Sequence, residues 1–524
     1  MTINTPQLRV NNKAIQLFVN NKPILLLSGE LHNSSATNLN ELDQKFSHLR
    51  SLNLNSVIVP LSWELIEPQE GVFDFSLVEG IINAARKTDL KLVLLWFATW
   101  KNGKSCYVPE WVKTNTNRFP RVQINKGLNT NISSPFADEI TIADAKAFAS
   151  TMKFIKGYDE KHKTVLMMQL ENEVGILGGP RDFSDIAEQA FNAPVPASLL
   201  TYLKENKKKL LPKVKSSWKK NGYIEKGKWE KVFGDDADEI FMAWYLANHI
   251  EKVAIAGRNQ YNIPMFVNAW LKQEHCQHPG QYPSGGPISD MIDIYRAAAP
   301  HIDFTAPDIY TPKFKEVCES YTSSNNPLFI PETYFADNRS AATVFYAFAH
   351  HNAIGFGPFA IDDVQLTHPL SESYKTLNDL STLLLNCQAN NRSIGFYQQF
   401  EKDTSTAMLG DLKVHMTSNH PLSKVNIPGG GMILMLGYDE FLVVGRNYIV
   451  EFSTPDSDQV NIELLYVDQG TNKNGKWVKT KRLNGDETSH GKAIVLNQDL
   501  MICKVKTNRA IMPVYHQAEW QFPV

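Results

Sequence analysis

Eight short runs of unbroken apolar residues, most separated by a segment with helical spacing, constrain this chain more than any other feature. They occupy residues 23–28, 56–61, 91–97, 164–170, 264–268, 304–310, 327–331 and 353–359. A strand buried on both faces has no polar side to show, so continuous apolar runs mark parallel strands covered by helices. Between the first two runs, residues 40–54 place Leu42, Phe46, Leu49 and Leu52 on one helical face, and residues 77–88 also read as a helix. Repeated strand-then-helix units imply either a closed α/β barrel or a doubly wound sheet. No G-x-G-x-x-G follows the first run and no G-x-x-x-x-G-K-[ST] occurs anywhere, which disfavours a nucleotide-binding open sheet. The expected fold class is α/β: a (β/α)8 barrel, followed by an all-β C-terminal domain.

The flanks differ from the barrel pattern. Asn11-Asn12 and Asn20-Asn21 lie between short apolar runs and read as hairpin turns. Residues 176–242 are too many for a plain connection and are rich in lysine between 204 and 220; they read as a solvated helical insertion or as a cap over the barrel mouth. A last helix is expected over 371–390. Beyond it, period-two alternation takes over, with Tyr448, Val450 and Phe452 on one face and Val460, Ile462 and Leu464 on another. Asn484-Gly485-Asp486 reads as a hairpin turn and Gly429-Gly430-Gly431 as a turn. The expected domains are therefore 1–390, the catalytic barrel, and 391–524, a β-sandwich-like domain.

Composition excludes several function classes. Lys and Arg number 53 against 55 Asp and Glu, so there is no basic excess for a nucleic-acid partner. No apolar run reaches the ~20 residues of a membrane helix. The first residues lack a signal-peptide pattern, so a cytoplasmic location is expected. Five scattered cysteines do not form a disulfide framework. His275-Cys276-Gln277-His278 could ligate zinc, but no second Cys/His pair completes a zinc spacing. No metal is expected there; the segment reads as a substrate-touching loop.

Catalytic groups of such barrels sit where strands end. The strand ends here carry Glu30 and His32, Glu64, Trp100, Lys101 and Asn102, Glu171-Asn172-Glu173, Asn268 and Trp270, Asp308 and Tyr310, Glu332, and Asp362. Carboxylates, amides and flat rings suit a neutral polyhydroxylated ligand, with rings covering sugar faces and polar groups bonding hydroxyls. Two carboxylates facing each other can cleave a glycosidic bond if one keeps its proton and the other is ionised. Glu173 and Glu332 end the fourth and seventh runs, across the ring from each other. Asn172 is placed to bond a sugar 2-hydroxyl and Tyr310 to hold Glu332. Spacing alone leaves that choice open.

These residues resemble the hallmark of the clan A retaining glycoside hydrolases, and within the clan the chain most resembles glycoside hydrolase family 35, the β-galactosidase family. Leu27-Ser28-Gly29-Glu30-Leu31-His32 resembles the family's first-strand Ser-Gly-x-x-His. Residues 63–75, with Trp63, Glu67-Pro68, Gly71 and Phe73-Asp74-Phe75, resemble its second-strand stretch. Gln169-Leu170-Glu171-Asn172-Glu173-Val174-Gly175 resembles its acid/base motif, and the β-rich tail resembles the C-terminal domain of a bacterial subgroup. The resemblance implies Glu173 as acid/base, Glu332 as nucleophile, Asn172 at the 2-hydroxyl and Tyr310 orienting Glu332. It implies double displacement through a covalent glycosyl-enzyme, with no cofactor and an oligosaccharide or β-glycoside as partner.

The chain departs from that family after the third run. Where the family has Gly-Pro-Tyr-Ile and a galactose-reading Glu, this chain has Phe97-Ala98-Thr99-Trp100-Lys101-Asn102. Ile330-Pro331-Glu332-Thr333-Tyr334 also lacks the usual Glu-Phe-Trp. The expectation is a retaining exo-acting β-glycosidase with Glu30, His32, Trp100, Lys101, Asn102 and Trp270 as sugar contacts. The alternatives are a transglycosidase, possibly glucose-specific, and a non-catalytic sugar-binding barrel.

Overall fold

The computed structural model describes residues 5–334, 337–455, 460–473 and 476–511; the outermost ends of both expected domains, and the side chain of Val460, lie outside the described residues. All eight apolar runs become parallel strands: β1 (Leu26–Leu27), β2 (Ser56–Ser62), β3 (Lys91–Lys101), β4 (Val165–Asn172), β5 (Met265–Trp270), β6 (Phe304–Asp308), β7 (Phe329–Ile330) and β8 (Gly355–Phe356). β2 to β6 form one ladder in chain order, and β7, β8 and β1 form another. Single parallel bridges from Glu30 to Ile58 and from Ile309 to Thr333 join the two ladders. The ring is thus closed, in the order of a (β/α)8 barrel.

Its interior is filled with apolar side chains. Leu26, Val93, Leu166, Phe266, Phe304, Phe329 and Ile354, at the starts of their strands, are buried in one cluster with Leu17 and Val19 from the N-terminal sheet. The Phe266 and Phe304 rings stack 5.0 Å apart, and Phe329 meets Phe266 edge-on. Burying each such side chain is worth about 1.5–3 kcal/mol, which favours the closed ring. Three strands, Gln7–Asn11, Ala14–Val19 and Lys22–Ile24, make a small sheet: Asn11 ends the first strand and Asn12-Lys13 turn after it, while the pair Asn20-Asn21 makes the second turn. Asn20 and Asn21 take φ of +53° and +62°, the mirror-image turn that asparagine tolerates.

The first helix, Leu39–Ser51, buries Leu42, Phe46 and Leu49, and the Asn38 side chain caps it by accepting from the Asn40 amide. The insertion is helical: Asp185–Asn192, Ala197–Glu205, Pro212–Lys220 and Trp229–Phe233. It buries Leu199, Leu203, Val214, Trp218 and Trp229 among the long apolar side chains. Most lysines of 204–220 stay exposed. Among the described residues no helix is long and apolar enough to cross a membrane. All five cysteines are free.

By contacts the chain forms two compact units, drawn differently from a cut at 390/391. One comprises residues 1–10, 15–337 and 353–374; the other comprises 11–14, 338–352 and 375–524. The helix Ser340–His351, which follows β7 in the chain, belongs to the second unit. Glycine in two strands lets it approach: a Cβ on Gly395 would lie 2.8 Å from Tyr346 Cα, and one on Gly430 would lie 2.5 Å from Ala342 Cβ. Nothing in local composition announces such packing.

The second unit contains a six-stranded and a four-stranded antiparallel sheet. Ile394, Phe396, Ile433 and Val443 of the larger sheet and Val414, Met416, Val450 and Ile494 of the smaller share one core. Tyr448, Val450 and Phe452 lie buried on one face as their alternation predicts. Two turn readings are corrected. Asn484-Gly485-Asp486 does not close a hairpin. It leads from Lys476–Leu483 in the larger sheet, through a short 3-10 turn, to Ala493–Leu496 in the smaller. Gly430 and Gly431 open the strand Gly430–Gly437 rather than a turn, because the neighbouring Val444 carbonyl comes where a Cβ of residue 431 would stand.

Candidate active site

Both candidate catalytic carboxylates stand at the C-terminal ends of opposite barrel strands, and the ladder aims them inward. Asn172 ends β4 and Glu173 follows it. Glu171 and Glu173 both have left-handed backbones, with φ of +57° and +46°. This turns successive side chains to different sides, at a cost that surrounding bonds must offset. The Glu173 amide donates to Asn268 Oδ1 at 2.9 Å. Asn172 Oδ1 accepts from Gln169 Nε2 and Asn268 Nδ2, each at 3.0 Å, and its own amide donates to Asn102 Oδ1 at 3.4 Å.

Across the ring, Tyr310 OH donates to Glu332 Oε2 at 2.8 Å. Asn268 Nδ2 donates to Asp308 Oδ2 at 2.7 Å and reaches Glu332 Oε1 at 3.5 Å. Carboxylate oxygens of Glu173, Asp308 and Glu332 lie within 4.8 Å of one another. Above them opens a cavity of about 580 Å³, whose walls include Lys101, Asn102, Trp270, His275, Tyr310 and the three carboxylates.

Burial sets the electrostatics. It pushes Glu173 up to about 8, helped by the charge of Glu332 and opposed by Lys101. It also raises Asp308, assisted by the charges of Glu332, Glu173 and Glu30. A dry pocket cannot ionise all its carboxyls at once, so protons are retained at neutral pH. Tyr310 is held well above its ordinary value, first by burial and then by Glu332, and stays a hydrogen-bond donor.

Glu30 follows β1 and is fully buried, with no hydrogen bond to either carboxyl oxygen among the described residues. Burial first, then Glu332, raises it well above the usual range, and Lys101 opposes the rise. Its neutral form is therefore favoured in the folded state, and the stability that form supplies is lost as pH climbs from the unfolded value toward the folded one. Glu30→Gln stays neutral throughout. Its melting temperature should gain on the wild type steadily between pH 5 and pH 9; a gap that does not change with pH would contradict this account.

The sequence-derived residues divide into three groups. Glu173, Glu332, Asn172 and Tyr310 converge, and Lys101, Asn102 and Trp270 line the cavity. Three expected sugar contacts lie elsewhere. Glu30 is fully buried and is not part of the cavity wall. His32 is 40% exposed and pairs with Asp363 at 2.7 Å, off the cavity wall. Trp100 is fully buried, its ring edge-on to His249 at 4.7 Å, because β3 runs on past it to Lys101. Asn268 and Asp308 are legible in the sequence as strand ends, but the way the Asn268 amide reaches Asn172, Asp308 and Glu332 together is not. His275 lines the cavity, in keeping with its place in a mouth loop. Among the described residues none from 176–242 lines it.

A buried set also lies behind β3 and β4: Asp144, Glu171 and His249, with ligand-type atoms within 4.8 Å of one another. They come from two helices and a strand, and no sequence spacing announces them.

Comparison with known proteins adds to this geometry. Residues 33–232 match the β-galactosidase model of glycoside hydrolase family 42, and residues 370–495 match a domain of unknown function, DUF5597. The first match supports a clan A glycoside hydrolase; family 35 itself is not what matches. No curated protein sequence matches. Among solved structures, a β-galactosidase from Bacillus circulans sp. alkalophilus is 13% identical, with TM-score 0.48, over 72% of this chain and 58% of that one. The catalytic domain of a β-amylase from Paenibacillus polymyxa is 12% identical, with TM-score 0.47, over 67% of this chain and 97% of that one. A β-galactosidase from the psychrophilic Marinomonas ef1 is 11% identical, with TM-score 0.46, over 70% of this chain and 61% of that one. The chain thus spans under two thirds of the length of both β-galactosidases.

Proposed function

We propose that this protein is a retaining, exo-acting β-glycosidase, with Glu332 as nucleophile and Glu173 as acid/base. One observation carries the reading: the oxygens of the two carboxylates approach within 4.8 Å. Retaining enzymes hold their carboxyls about 5–5.5 Å apart, whereas inverting enzymes leave ~6.5–9.5 Å for a water. The strand-end motifs argue for kinship with family 35 within the clan.

Each group has its own part in the reaction. A Glu332 oxygen, oriented by Tyr310 and Asn268, attacks the anomeric carbon. The bond to the leaving oxygen breaks, and Glu173, which burial keeps protonated, gives that oxygen its proton. The product is a glycosyl ester on Glu332. Glu173, now ionised, takes a proton from water or a sugar hydroxyl, whose oxygen attacks the same carbon and frees Glu332. Asn172 holds the 2-hydroxyl, a contact that strengthens in the transition state. Trp270 offers a ring face, and Lys101 and Asn102 offer donors. A β-galactoside is the first substrate class to try, on the family match to residues 33–232.

The test is aryl release from β-galactoside, β-glucoside and related β-glycosides, with and without free acceptor sugars, with the product anomer read by NMR. Release with a β-configured first product supports the reading. An α-configured product rejects retention, and no release from any aryl β-glycoside rejects the whole proposal. A rate that rises with acceptor, with new disaccharides, would favour transfer over hydrolysis.

A further inference from the structure

The ladder between β3 and β4 breaks between Trp96 and Lys101, and the extra residues of β3 bulge away from their partner strand. A bulge leaves backbone amides without ladder acceptors. The Glu171 side chain fills this gap: its Oε2 accepts the Trp100 amide at 2.8 Å. Its other oxygen faces His249 Nε2 at 4.0 Å, beside Asp144. Asp144 is held in turn by Trp96 Nε1 and Thr99 Oγ1, both at 2.8 Å, and His249 Nδ1 meets Thr141 Oγ1 at 2.8 Å. Glu171, Asp144 and His249 are all buried.

Burial first, then the charge of Asp144, raises Glu171 well above the ordinary range. Burial also acts to raise Asp144, but the hydrogen bond and charge of His249 outweigh it and hold Asp144 low. The pair therefore keeps one proton, on Glu171. None of the three lines the cavity, yet Glu171 is two residues from Glu173 and shares its left-handed backbone.

We propose that Glu171, braced by Asp144 and His249, is a positioning residue that ties the bulged end of β3 to the left-handed segment 171–173 and so presents Glu173 to the leaving group. This rests on the reading of Glu173 as acid. The bulge is also where the chain departs from the family pattern, so Glu171 secures a β3 end that carries Lys101 and Asn102 into the cavity.

The experiment compares first-turnover aryl release from a phenyl β-glycoside, which needs an acid, and its 2,4-dinitrophenyl counterpart, which does not. Glu171→Ala should lose about 100-fold on the phenyl substrate and less than about fivefold on the dinitrophenyl one, the share of an acid that has lost its aim. Glu171→Gln, neutral and of the same shape, should recover both to within about fivefold. Equal loss on both substrates, wild-type rates in Glu171→Ala, or a Gln variant no better than Ala would each overturn the proposal. If Glu171→Ala does not fold, Thr99→Val removes one bond to Asp144 at nearly constant volume. A loss confined to the phenyl substrate supports the proposal, and an equal loss or none overturns it. A wild type that releases neither aryl group would instead bring down the reading of the site itself.

Discussion

Glu332→Gln should reduce turnover of every β-glycoside substrate by about 10⁵-fold, because removal of a covalent nucleophile leaves only binding and the remaining polar groups. The amide fills the same space and can keep the Tyr310 contact, so the fold should survive; a melting curve within a few degrees of wild type would verify that. The side chain it replaces is met on one oxygen by Tyr310 and on the other by Asn268, which leaves little freedom to turn away from the anomeric carbon. In Glu332→Ala, added azide should restore aryl release and yield a glycosyl azide of inverted configuration, because a small anion can stand where the carboxylate stood. Retention of more than a tenth of wild-type turnover by Glu332→Gln would move the nucleophile to Asp308, whose carboxylate lies in the same 4.8 Å cluster.

Glu173→Gln should show a loss that depends on the leaving group. General acid catalysis contributes about 10²–10⁴-fold, so release of a poor leaving group should fall by that factor, while first-turnover release of 2,4-dinitrophenol stays near normal. The pH profile supplies an independent check. Burial, then the charge of Glu332, places Glu173 at about 8. The acid works only while protonated. Wild-type glycosylation by poor leaving groups should therefore hold through neutral pH and fall tenfold per unit above about 8. That alkaline limb should vanish in Glu173→Gln. A limb that persists unchanged would assign the proton donation to another group, and Asp308, also raised by burial, is the nearest candidate.

The two candidate carboxylates could be placed at the barrel mouth from sequence because barrel geometry puts every strand end there; their selection among the strand-end carboxylates came from the family resemblance. Once eight apolar runs are recognised, the residue after each run must lie at the mouth, and Asn172-Glu173 and Glu332 follow their runs at once. The same logic misplaces Trp100 and His32. It assumes that each run ends where its apolar residues end, whereas β3 bulges and continues to Lys101 and thereby turns Trp100 inward against His249. His32 lies past the end of β1, where a hydrogen bond with Asp363 holds it at the rim.

The sequence by itself determined the eight buried parallel strands with helices between them, the alternating β-rich tail and the carboxylates at the strand ends, because these depend on local periodicity and on where each run stops. The choice of Glu173 and Glu332 among those carboxylates rested on the family resemblance. The tertiary structure decided three other things. It grouped the helix Ser340–His351 with the β-sheets, through glycines whose missing side chains matter only once that helix approaches. It brought Asn268 and Asp308 beside Glu332, and Asp144, Glu171 and His249 behind Glu173, from elements far apart in the chain. It also decided which carboxyls keep a proton, since that depends on how much water the packed barrel excludes and on which charges it places side by side.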